Sequence, residues 1–112
     1  MHTFSHHLAL DLGASSGRAI VGTLENGRLA LSEIYRFPNV PVRQHDGLHW
    51  DVQRLWTEIL TGITASAARY DLESLGLDTW GVDFALLGAG GELLADPHHY
   101  RDRRTEGIVP HL

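Results

Sequence analysis

Apolar and polar positions alternate along this chain in blocks whose period changes. Leu8 to Asp11 is a short apolar run closed by an acid and reads as a buried strand. Gly17 to Glu25 reads as a second strand, in which Ala19, Val21 and Thr23 alternate with Ile20, Gly22 and Leu24. Asn26-Gly27 follows, a strong hairpin signal because both residues tolerate positive φ. Arg28 to Phe37 is the third strand, with Leu29, Leu31, Glu33, Tyr35 and Phe37 on one face and Ala30, Ser32, Ile34 and Arg36 on the other. The three are expected to form an antiparallel meander. "PNVPVRQHDG" then reads as a loop and "LHWD" as a brief extended piece.

The period next lengthens. Asp51 suits the N-cap of a helix from Val52 to about Tyr70. Leu55, Ile59 and Ile63, flanked by Val52, Trp56, Leu60 and Ala67, make its buried stripe; Gln53, Arg54, Thr57, Glu58, Thr61 and Ser66 make its exposed face. Gly62 is a weak point, costing ~1 kcal/mol against alanine in a helix interior. Leu75 to Trp80 reads as a strand returning beside the first. Phe84 to Leu87 and Glu92 to Ala95 read as extended pieces around a glycine-rich turn, and "HHYRDRRTEG" as the start of a helix. Three antiparallel strands, a helix and a further strand match the opening of a ribonuclease-H-like α/β unit with a mixed sheet, an order that other α+β folds share.

Composition narrows the classes. The 112 residues, 43% of them apolar and 21% charged, suit one small globular domain. The formal net charge is −5, lysine is absent and all nine basic residues are arginine, a balance that argues against a nucleic-acid partner. No cysteine is present, and no apolar run approaches the ~20 residues of a membrane span. A cytoplasmic location is expected, with no membrane partner. The histidine pairs His6-His7 and His98-His99 lack ligand spacing and read as surface residues.

Candidate chemistry starts at Gly13-Ala14-Ser15-Ser16-Gly17. It matches G-x-S-x-G, but a nucleophile elbow needs a helix after the serine, and a β-rich run follows here. The spacing is too short for a Walker A loop, and no lysine follows. A phosphate cradle fits: small residues let backbone N–H groups face a concavity, Ser15 and Ser16 add hydroxyls, and Arg18 adds a charge that suits phosphate geometry. Asp11 at the strand end could hold Mg²⁺ through water. A plain hairpin with a polar loop satisfies the same pattern. In "GLDTWGVDFALL", Asp78, Trp80 and Asp83 interrupt an apolar stretch, and Gly81 marks a bend or a close backbone approach. Two acids, an aromatic face and a glycine would suit a polyol; a core tryptophan with capping acids is the other reading.

"DLGASSGR", "FPN" followed by "HWD", "DTWGVDFALL" and "YRDRRT" occur in an order that resembles the rhamnulokinases, within the FGGY-type carbohydrate kinase family. The resemblance runs from Leu8 to Thr105 and implies an actin/hexokinase-type ATPase fold. It implies transfer of the ATP γ-phosphoryl group to the 1-hydroxyl of L-rhamnulose or a related ketose. It places ATP phosphates at Ala14, Ser15, Ser16, Gly17 and Arg18, and Mg²⁺ at Asp11 through water. It places the sugar at Trp80, Gly81, Asp83 and Tyr100, with Arg101, Asp102 and Arg104 in support. The family is several times longer and has a second domain, and its general base, an aspartate, lies in the later part. Residues 1–112 are therefore expected to be an incomplete N-terminal kinase domain, inactive alone, with exposed apolar area that invites self-association. The alternative is a non-catalytic sugar- or nucleotide-binding module.

Overall fold

A computed structural model describes residues 3–112. In chain order its main elements are β1 (Phe4–Leu12), β2 (Ser16–Glu25), β3 (Arg28–Pro38), β4 (Val42–Gln44), β5 (Gly47–His49), α1 (Val52–Ala67) and β6 (Leu72–Asp78). The described residues divide between two compact units, those up to 39 with 54–80 and 40–53 with 81–112.

The first unit is built on a mixed sheet of order β3-β2-β1-β6. β1 and β2, and β2 and β3, pair antiparallel, and β6 returns parallel to β1, as the strand pattern predicts. The Asn26-Gly27 turn has positive φ at both residues, 51° and 79°. Leu8, Leu10, Leu12, Ala19, Val21, Phe37 and Ile59 form the core. The expected faces of β3 are not kept along its whole length. Ala19 pairs with Tyr35 but Ile20 pairs with Glu33, so Ile34 is an extra residue, a bulge. Ile34 and Tyr35 therefore both pack against the core, while Leu29 and Leu31 are left 64% and 68% exposed. β6 runs from Leu72 to Asp78, starting and ending earlier than expected.

The helix starts where its pattern predicts but ends at Ala67, giving way to a turn in which Arg69 N–H reaches only back to Ser66 O. Its buried residues are Ile59, Gly62 and Ser66, whereas Trp56 and Leu60 are largely exposed. Small size decides this orientation. A Cβ on Gly62 would lie 3.0 Å from Ala19 Cβ and 3.5 Å from Leu10 Cδ2, so the glycine is the point of closest approach to the sheet. Ser66, expected on the solvent face, is fully buried, and its hydroxyl donates to Gly62 O at 2.7 Å.

In the second unit, part of the expected loop is a hairpin: β4 pairs with β5, Val42 opposite His49. Phe84 to Leu87 and Glu92 to Ala95 make one bridge, Leu87 with Leu93, not strands; Phe84, Leu86, Leu87 and Leu94 are exposed, so no packing rewards a longer ladder. "HHYRDRRTEG" forms turns and a 3₁₀ segment, Arg103–Thr105, not an α-helix; the Asp102 carboxylate accepts from Arg104 N–H at its start, and Gly107 beyond it has positive φ. His99 is not a surface residue: it is buried, as are His49 and Trp50. Among the described residues no helix is long and apolar enough to cross a membrane.

Candidate functional site

In the first unit the Gly13–Gly17 turn joins β1 to β2. Gly13 N–H donates to Ser16 O at 2.9 Å, and a Cβ on Gly13 would also sit 2.9 Å from that oxygen, so the turn closes only around a glycine. Gly17 is required for a different reason. It lies under the Phe37 ring, where a Cβ would come within 2.7 Å of both Cε atoms. Asn39, which sequence reasoning gave no role, holds the turn from the far end of β3. Its backbone N–H donates to Ser15 O at 3.0 Å and its side-chain amide to Gly13 O at 2.9 Å. The "FPN" run was the signal that could have identified it.

The charges at the turn are matched. Arg18 Nη1 donates to the Asp11 carboxylate, with which it pairs across β1 and β2. Arg18 Nη2 donates to Ser16 Oγ at 2.8 Å and to Ser16 O at 3.2 Å. Arg36, from β3, also reaches Ser16 Oγ, at 3.3 Å, and is itself paired with Glu33 at 2.6 Å. Arg18 Nε is buried without a hydrogen-bond partner, which leaves one oriented N–H donor unused at the turn. Ser15 is exposed, and the Asp11 side chain is 44% exposed. Arg18 thus joins Asp11 to Ser16, and Ser15 stands at the surface of the same turn.

The residues expected to meet a sugar are distributed differently. Trp80 packs on the core of the first unit. In the second unit Asp83 accepts from the indole N–H of buried Trp50. Trp50, His99 and Tyr100 form a series of rings, with centroids 4.0 Å and then 4.4 Å apart. Arg101 lies over Tyr100 at 5.2 Å. Asp83 and Tyr100 therefore belong to one aromatic assembly, whereas Gly81 is exposed in a bend, where a Cβ would meet nothing within 4 Å; of its two expected roles, the bend is the one observed, not the close approach. Asp102 supports this unit by accepting from Leu48 N–H at 2.7 Å, which with the Arg104 N–H holds its carboxyl below the usual range. His99 is the residue the pattern missed. Its Nδ1 accepts from Arg101 N–H at 2.9 Å, so the proton sits on Nε2, which is buried and unpartnered. Burial lowers its pKa and keeps the ring neutral.

No protein-family model matches the chain. It is similar to the rhamnulokinase of Oceanobacillus iheyensis, 46% identical over 104 residues, covering 92% of this chain and 22% of that one. It is 47% identical over 100 residues to the rhamnulokinase of Bacteroides thetaiotaomicron, covering 88% of this chain and 21% of that one. The chain thus spans about a fifth of the length of the curated relatives it matches. Among solved structures, gluconate kinase from Lactobacillus acidophilus superposes with a TM-score of 0.80 over 97% of this chain and 22% of its own, at 13% identity. Xylulose kinase from Rhodospirillum rubrum gives 0.70 over 95% and 23%, at 18% identity. The fold is that of these sugar kinases.

Proposed function

We propose that this chain is the N-terminal part of an ATP-dependent sugar kinase that phosphorylates L-rhamnulose on its 1-hydroxyl. The observation that carries this reading is the 46–47% identity to rhamnulokinases over about nine tenths of the chain. In this reading the chain belongs to the first of two domains of a longer cytoplasmic enzyme, and the catalytic base is supplied from outside residues 1–112.

The Gly13–Gly17 turn suits a polyphosphate. It is closed around glycine, and Arg18 Nε–H beside it is a buried donor with no partner. Ala14, Ser15, Ser16, Gly17 and Arg18 would bind the ATP phosphates. Asp11 would hold Mg²⁺ through water, a role suited to a half-exposed carboxylate because that cation keeps most of its hydration shell. When bound, Mg²⁺ supplies charge neutralisation to the transferring phosphoryl group. Trp80, Gly81, Asp83 and Tyr100 would contact the ketose, the rings along its C–H faces and the carboxylate on its hydroxyls.

The test is a ketose panel assayed with ATP and Mg²⁺, using the longer protein that contains this sequence. L-rhamnulose is expected to be the preferred substrate and to yield L-rhamnulose 1-phosphate, while the 112-residue chain alone shows negligible turnover. A longer protein inactive on every ketose, or a short chain that turns over at an ordinary kinase rate, would overturn the proposal.

A further inference from the structure

The second unit contains a cluster that the phosphate and sugar sites do not use. The His49–His98 bridge places these residues opposite each other on neighbouring extended segments. Backbone hydrogen bonds on either side hold the pairing, Trp50 N–H to Pro97 O at 2.9 Å and His99 N–H to Leu48 O at 2.8 Å. The two imidazoles consequently lie beside each other, tilted by 38° with centroids 4.1 Å apart. Asp46, in the turn between β4 and β5, reaches both: Oδ1 is 2.8 Å from His49 Nε2, and Oδ2 is 3.8 Å from His98 Nε2.

The tautomer of His49 is set by its other nitrogen. Nδ1 lies 2.8 Å from the Asp96 backbone carbonyl, which can only accept, so Nδ1 carries a proton. A neutral His49 then points the Nε2 lone pair at a carboxylate, and either a proton on Nε2 or a metal cation bound by both groups relieves that opposition. An N–H donated to a backbone carbonyl is also the usual outer support of a metal-bound histidine. The distances suit such an ion. Donors ~2.1 Å from a tetrahedral zinc-type ion are separated by roughly 3.4 Å from one another. One donor atom from each residue lies within 4.8 Å of the other two, and Asp46 has an oxygen 2.8 Å from His49 Nε2 and the other 3.8 Å from His98 Nε2, so small side-chain shifts would bring the three to this spacing. Asp46 is exposed and free to adjust.

The surroundings give a reason for such a site. Among the described residues of this unit, the buried side chains are His49, Trp50 and His99, while Val82, Phe84, Leu86, Leu87 and Leu94 are 60% exposed or more. A unit with so small an apolar core gains from a cross-link that joins residues 46 and 49 to residue 98.

We propose that Asp46, His49 and His98 bind one divalent transition-metal ion of zinc type, completed by water, which fastens the β4–β5 hairpin to the segment around His98. Two imidazoles and one carboxylate favour such an ion over Mg²⁺. The proposal stands independently of the kinase reading. Its test is titration of the untagged, chelator-treated full chain with Zn²⁺ by calorimetry, and with Co²⁺ by visible absorption. One Zn²⁺ per chain is expected, with a raised Tm, and Co²⁺ should give the intense bands of a four- or five-coordinate site that excess Mg²⁺ does not erase. His98→Ala and Asp46→Asn should each weaken binding at least about tenfold while far-UV circular dichroism is retained, and a His6→Ala/His7→Ala control should bind as the parent does. Absence of saturable binding, weak octahedral Co²⁺ bands, or binding that survives both ligand variants would overturn it.

Discussion

Replacing Gly17 by alanine sets two effects against each other at one atom. Gly17 has no positive φ, so alanine fits its backbone, and the stiffer unfolded chain favours the variant by ~0.4–1 kcal/mol. The new methyl, however, lands 2.7 Å from both Cε atoms of Phe37, where carbon pairs rest at about 3.5–4.0 Å. The ring has little room to retreat, because Phe37 is 3% exposed within the core. Overpacking of this kind costs about 1–3 kcal/mol, so the net expectation is a loss of about 1–2 kcal/mol. Urea unfolding followed by circular dichroism should show the midpoint fall by about 0.5–1 M with an unchanged slope, given slopes of about 1–3 kcal/mol per M for small proteins. Phe37→Leu opens space at the same spot. Combined with Gly17→Ala it should lose clearly less than the sum of the single losses, with a coupling of about 1 kcal/mol. A Gly17→Ala midpoint at or above the parent's, or strict additivity in the double variant, would refute the packing argument for this glycine.

Gly62→Ala should fail to deliver the ~1 kcal/mol that alanine gains in an open helix, because its Cβ meets Ala19; a thermal melt rising by several degrees would contradict this. The Tyr35 hydroxyl donates to the Glu58 carboxylate, and this bond, with burial, raises the tyrosine pKa. The pair's contribution to stability is therefore complete below the unfolded tyrosine's pKa and is lost as pH rises through the folded value; ultraviolet titration should find one late tyrosine, which Glu58→Gln moves earlier. Asp83→Ala removes the acceptor of the buried Trp50 indole and should cost about 1–3 kcal/mol with a shift in tryptophan emission, while Asp83→Asn, which keeps an acceptor, should cost less.

What the sequence disclosed followed the range of each interaction. The meander, the Asn26-Gly27 hairpin and the start of the helix are decided by neighbours, and the pattern alone placed them. The faces of β3 were lost at Ile34, because a bulge arises from pairing with Ala19 and Ile20 and leaves no local mark. Gly62 read as a flaw until its distance to Ala19 made it a contact. At the site, Asp11, Ser16 and Arg18 were legible as a short-range group. Asn39 and His99 were not, since their partners, Gly13 and Ser15 for one and Trp50 for the other, are 24 to 49 residues distant in the chain. The segment after Gly81 resisted for a different reason: its apolar residues have no layer to pack on within their unit, and without one alternation does not make a strand.

The ion pair between Asp11 and Arg18 has a consequence for anything that docks at the turn. Each charge already faces its opposite, although Arg18 Nε–H has no acceptor, so a lone anion must compete with a resident carboxylate, and a lone cation must compete with a guanidinium. A visitor carrying both signs would meet each half with its opposite and leave neither charge stranded. If the turn binds phosphate as proposed, it would work as an exchange point, discriminating by the pairing of charges a ligand brings with it and only secondarily by how much charge that is.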